Sequence, residues 1–125
     1  MRGTLNETRY LHGKRQAYGT PKLSDRWGEF DYYIEIVGQF ANRQVNVYGN
    51  GAILRYSRDH WCDEYGMMFI GKYSLKEKAA TGCVIITVRD FEKIWQQALA
   101  SSNWVDQQAT AKMNLWGSWA ERVAI

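Results

Sequence analysis

The densest run of chemically able side chains in this sequence is Asp59-His60-Trp61-Cys62-Asp63-Glu64, with Arg55 and Arg58 before it and Tyr65 after it. As metal ligands, His60, Cys62, Asp63 and Glu64 would offer nitrogen, sulfur and oxygen donors. A structural zinc site wants four ligands at paired spacings, however, and this His-x-Cys has no second pair. As a nucleophilic pair, Cys62 and His60 lie two apart and share a face on an extended segment. A working pair also needs an orienting group and an oxyanion hole, and neither is signalled. As a turn, Asp59 and Asp63 would cap the backbone through their side chains. Trp61 would then plug the open end of a sheet, and Arg55 or Arg58 would pair with Asp63 or Glu64. The turn reading carries most weight. A binding reading stands beside it, because aromatics such as Trp61 and Tyr65 on a loop held by a sheet suit recognition. The candidate binding residues are therefore Arg55, Asp59, His60, Trp61, Asp63, Glu64 and Tyr65. No catalytic residue, metal or cofactor is assigned.

Other catalytic signatures are missing. The chain has no G-x-x-x-x-G-K-[ST] loop, no G-x-G-x-x-G, no G-x-S-x-G elbow and no H-E-x-x-H. Gly49-Asn50-Gly51 reads as a turn and not as a phosphate cradle. These absences lean the reading away from an enzyme.

The elements that would hold the 58–66 loop are legible from residue 30 onward. Phe30 to Phe40 is β-branched and aromatic, with Tyr32, Ile34 and Ile36 on one face and Tyr33, Glu35 and Val37 on the other. After Ala41-Asn42, the run Arg43 to Tyr48 alternates Val45 and Val47 with Gln44, Asn46 and Tyr48. Asn50-Gly51 is a strong hairpin signal because both residues tolerate positive φ. Ala52 to Ser57 returns as a third strand of a meander. Met67 to Ile70 reads as an edge strand, and Cys83 to Val88, the most apolar run, as a central one. Asp90 is a good N-cap, and Phe91, Ile94, Trp95, Ala98 and Leu99 share one helical face over residues 90–101. A second stripe, Val105, Ala109, Met113, Trp116, Ala120 and Val123, predicts a helix over 105–123. Trp104 and Trp119 fall beside these stripes, where they would cover a sheet edge or project into an interface. The predicted fold is α+β. An antiparallel four- or five-stranded meander sheet carries two C-terminal helices on one face, with Ile34, Ile36, Val45, Val47, Ile53, Val84 and Ile86 against Phe91, Ile94, Trp95, Leu99 and Met113.

Length and charge set the frame. A chain of 125 residues fits one domain and can bury a core without disulfide or metal. Residues 1–29 hold six basic and three acidic side chains, which accounts for the whole net charge of +3. They are polar and punctuated by Gly3, Gly13, Gly19 and Pro21, and they read as a basic arm with a short strand around Arg9–Leu11. The domain proper would then span 30–125. Arg9, Lys14, Arg15, Lys22 and Arg26 interleave with Tyr10, Tyr18 and Trp27, a pattern that suits stacking on unpaired bases. The small charge and the lack of a recognition-helix or RNP pattern weigh against a nucleic-acid partner. Cys62 and Cys83 read as thiols of a reducing cytosol. No secretory signal or membrane-length apolar run is present, so the expected location is cytoplasmic.

Within Arg43 to Trp95, several pieces stand together: Arg43-Gln44-Val45, Tyr48-Gly49-Asn50-Gly51, Leu54-Arg55-Tyr56, Asp59-His60-Trp61, Asp63-Glu64-Tyr65-Gly66 and Asp90-Phe91-Glu92-Lys93-Ile94-Trp95. This stretch resembles small bacterial proteins built from a β-meander and a C-terminal helix, found as orphan genes, in mobile gene cassettes and as candidate antidotes to toxins. The resemblance implies a fold and an accessory lifestyle, and it brings no active site with it. The leading expectation is an antidote- or immunity-like module with a protein partner or self-association as a homodimer. The alternative is a small-ligand binder or weak enzyme with a pocket near the 58–66 loop and His60 or Cys62 at its mouth. Nucleic-acid binding through the arm comes third.

Overall fold

A computed structural model describes residues 7–15, 27–63, 65–69, 71, 72, 74 and 82–101. Among the described residues, five strands, β1 (Thr8–Arg15), β2 (Phe30–Val37), β3 (Phe40–Tyr48), β4 (Ile53–Ser57) and β5 (Val84–Ile86), precede one helix, α1 (Val88–Leu99). The strands form one antiparallel sheet in the order β4-β3-β2-β1-β5. The α+β class and the five-strand count match the sequence expectation. The second helix, over 105–123, lies outside the described residues, as do Trp104, Trp116 and Trp119.

Turn chemistry sets the hairpins. β2 and β3 meet at Gly38-Gln39, where Gly38 takes φ +69° and its N–H donates to the Glu7 carbonyl. The sequence placed this break at Ala41-Asn42, three residues late, because Phe40 just beyond the turn continues the β-branched and aromatic pattern of Phe30 to Val37. The β3–β4 turn is the expected one. Gly51 sits at φ +91°, and the Asn50 side chain accepts from the Ala52 N–H at 2.9 Å.

Three strand assignments change. Thr8–Arg15, read as part of an arm, is an inner strand with partners along β2 and β5. Its polar residues hid the pattern, since only Leu11 and Gly13 are buried. A Cβ at Gly13 would come within 2.5 Å of the Tyr32 hydroxyl, so the strand needs glycine where that ring crosses it. Cys83–Val88, expected at the centre, yields only the three-residue outermost strand β5. Thr87 ends it and starts the helix: its hydroxyl accepts from the Asp90 N–H at 3.1 Å, which makes Thr87 the N-cap in place of Asp90. Of the expected edge strand Met67 to Ile70, Ile70 lies outside the described residues and 67–69 form no strand. Met67 makes one isolated bridge to Cys62, and Met68 is buried in the core.

The main core lies on the sheet face away from α1. Leu11, Tyr32, Ile34, Ile36, Ala41, Tyr48, Leu54 and Tyr56 are buried there beneath Trp61, Cys62 and Met68. Cross-strand register explains why Ile34 and Ile36 face away from Val45: Tyr33, not Ile34, is the partner of Val45. A register shift at Glu35/Ile36 leaves Asn42 as the extra residue. Ala41 therefore points into the core while Arg43, two residues on, points to the helix side. The expected grouping of Ile34 and Ile36 with the helix is thus corrected, while Val45 and Phe91 do lie on the helix side, both buried.

Candidate interaction surface

The chain leaves β4 through a tight turn in which Ser57 and His60 exchange backbone hydrogen bonds at 3.1 Å each. A second turn follows, closed by Asp63 N–H to the Gly66 carbonyl and Met68 N–H to the Trp61 carbonyl. Asp63 is the centre of this turn and has no solvent exposure. Its Oδ1 accepts from the Tyr56 hydroxyl at 3.0 Å and from the backbone N–H groups of Tyr65 and Gly66, and its Oδ2 is hydrogen-bonded to His60 Nε2 at 2.8 Å. Burial first, and then the Asp63 carboxylate, pushes the Tyr56 phenol well above its ordinary range. Two core-face amides complete the seat. Gln44 accepts from the Phe69 N–H at 2.8 Å and donates to Asn46 at 2.8 Å.

This geometry distributes the sequence candidates unevenly. Trp61 and Asp63 are fully buried, and His60 retains only 8% exposure. Cys62 is buried as well. Asp59 is exposed and Tyr65 partly so, while Glu64 lies outside the described residues. Arg55 belongs to the opposite face of the sheet, with its guanidinium 4.9 Å from the Trp95 ring, where burial lowers it to about 10. Arg58 donates to the carbonyls of Ala41 and Phe40. Among the described residues, no group of three metal-ligating side chains converges.

The helix side of the sheet divides into a closed half and an open half. In the closed half, Arg43 forms a two-point pair with Glu35 at 2.7 and 2.8 Å and reaches Glu92 of α1 at 2.6 Å. Its guanidinium lies 5.0 Å from each of the Phe91 and Trp95 rings. Burial raises the Glu35 carboxyl, but hydrogen bonds from Arg43, Asn42 and the Tyr10 hydroxyl outweigh it and hold the group below its ordinary value. The Tyr10 ring lies tilted against Phe91, with centroids 5.3 Å apart, and its phenol is pushed up, by burial first and by Glu35 next.

The open half is the outer part of one cross-strand row, Val84, His12 and Tyr33, which runs inward to the buried Val45. The His12 and Tyr33 rings stack at 4.3 Å, and His12 Nε2 lies 3.0 Å from Asp31 Oδ1, which Lys14 also reaches at 3.1 Å. Burial raises the Asp31 carboxyl, and its bonds from His12 and Lys14 bring it below normal. The basic residues of β1 are engaged in such local pairs, Arg9 with Glu7 at 2.7 Å among them. Lys22 and Arg26 lie outside the described residues.

The row ends on the β5 edge. Among the described residues, no strand flanks the outer side of β5. Val84, Ile85 and Val88 are 54%, 59% and 54% exposed, and Leu99 at the far end of α1 is 38% exposed. Sequence reasoning missed this surface because an uninterrupted apolar run reads equally as a buried central strand. Its shortness and the Thr87 cap directly after it were the available signals.

No family model matches this chain, and no curated protein or solved structure shows significant similarity to it.

Proposed function

We propose that this chain is an accessory protein-binding module that receives an extended partner segment along the β5 edge. The observation that carries the reading is the uncovered apolar stretch of Val84, Ile85 and Val88 at a sheet edge whose outer backbone faces no described strand. An added strand would gain main-chain hydrogen bonds from β5, while alternate side chains would meet Val84 on one face and Ile85 on the other. Aromatic and partly apolar neighbours at His12 and Tyr33 extend the contact on the helix side. The accessory role is the one that the residue pattern of 43–95 led us to expect, and it enters here as part of the proposal. The burial of His60, Cys62 and Asp63 counts against a reaction centred on the 58–66 loop, so the contact surface moves from that loop to β5, with Asp59 and Tyr65 left as its accessible part.

A photo-crosslinking amino acid placed at position 85 in the full chain tests this. The expected result is a covalent protein adduct that is absent when the probe sits at Gln39, an exposed turn residue, and lost when Val84→Lys is added. Equal labelling from both positions, or none from position 85, overturns the reading.

A further inference from the structure

From the same edge we infer that the occupant of β5 is the β5 strand of a second copy of this chain, paired antiparallel about a two-fold axis at Ile85. The inference rests on the strand-addition reading above and names its partner. Natural sheets blunt an edge by keeping its strand short and by charges, lysine above all. β5 is short, at three residues, but the segment Gly82 to Val88 carries neither charge nor proline: it reads Gly-Cys-Val-Ile-Ile-Thr-Val. The opposite edge differs. β4 carries Arg55 and runs straight into the Ser57–His60 turn, which folds the chain back over its end.

Self-pairing also fits by symmetry. An antiparallel pair of identical strands is closed by a two-fold axis, so the contact ends at two copies and does not propagate. With the axis at Ile85, Val84 of one copy lies opposite Ile86 of the other on the helix side, and the two Ile85 side chains meet on the core side. Apolar groups then oppose apolar groups on both faces, and no like charges face each other. The axis is perpendicular to the sheet, so both α1 helices lie on one face of a continuous ten-stranded sheet. Three strand residues and Val88 offer much less than the roughly 800 Å² per partner of a standard interface, so association depends on concentration.

The test uses the full chain. Sedimentation of the wild type is expected to show a mass that rises from 14.5 kDa toward twice that value as concentration increases, while Ile85→Lys stays at 14.5 kDa. Ile85 is over half exposed, so this substitution is expected to leave the thermal transition in place, and circular dichroism checks that it does. Opposed residues of an antiparallel pair stand about 4.5–5.5 Å apart at Cα, within disulfide range. Ile85→Cys in a Cys83→Ser background is therefore expected to give a disulfide dimer with diamide, and Gln39→Cys in the same background is not. A wild-type mass fixed at 14.5 kDa, or equal trapping at both positions, overturns the inference. If the photo-crosslinker at position 85 labels only proteins of other masses, the second copy is excluded while the strand-addition reading survives. If it labels nothing, both fall.

Discussion

Asp63 accepts at both carboxylate oxygens from within the core, and these bonds hold the second turn of the 58–66 loop closed. A buried acceptor cannot be removed without stranding its donors, which then lose both water and partner. Asp63→Ala leaves the Tyr56 hydroxyl, the His60 ring and two backbone N–H groups in that position. The expected cost is about 3 kcal/mol or more in the free energy of unfolding by urea. Asp59→Ala, at an exposed position, is expected to change it by less than about 0.5 kcal/mol. The two aspartates look alike in sequence, each set in a polar run beside an aromatic. Side-chain hydrogen bonding by Asp63 was legible, since aspartate in a turn bonds its own backbone two residues on, as it does here to Tyr65. Its bond to Tyr56 was not, because that contact depends on β4 and the loop lying over one face of the sheet.

At the scale of elements, α1 is joined to the sheet by an apolar contact and an ionic clamp. Phe91 and Ala98 are buried against the sheet, and Arg43 spans from Glu35 on β2 to Glu92 on α1. The clamp gives stability a pH dependence of defined sign. Glu35 is held below its ordinary 4.5 in the folded protein, so its contribution is fully present above that value and is lost as pH falls through the lowered folded value. Glu35→Gln is therefore expected to flatten the acid limb of a plot of denaturation midpoint against pH. Asp31, also held low, leaves a residual slope. An acid limb of unchanged steepness would remove the clamp from this account. The helix was legible from its 3.6-residue stripe, but its start was displaced by two residues. Asp90 and Thr87 are both acceptable caps in sequence, and the choice falls to Thr87 because β5 ends at Ile86 and leaves the next residue extended.

For the whole molecule, β1 is the element on which the sheet depends. It lies between β2 and β5, and Leu11 at its centre is 1% exposed. A chain truncated to residues 27–125 loses the neighbour of both strands together with the Leu11 side chain. That side chain alone is worth about 2–5 kcal/mol on the scale of large-to-small core changes. Such a chain is expected to show no cooperative thermal transition by far-ultraviolet circular dichroism, whereas the full chain shows one. A cooperative melt of 27–125 would return β1 to the status of an arm. Among the described residues, no helix is long and apolar enough to cross a membrane.

Local patterns determined the β2–β3–β4 meander, the Asn50-Gly51 turn, the face of α1 and the aspartate-capped turn after β4, because alternation, positive-φ residues and helical spacing act between near neighbours in the chain. Tertiary structure alone decided which face of the sheet became the core, that a polar N-terminal stretch lies inside the sheet, and that the most apolar run lies at its edge. Those outcomes follow from register and strand order, which bring together residues such as Leu11, Ile34 and Ile85 from distant parts of the chain, and no short-range pattern encodes such pairings.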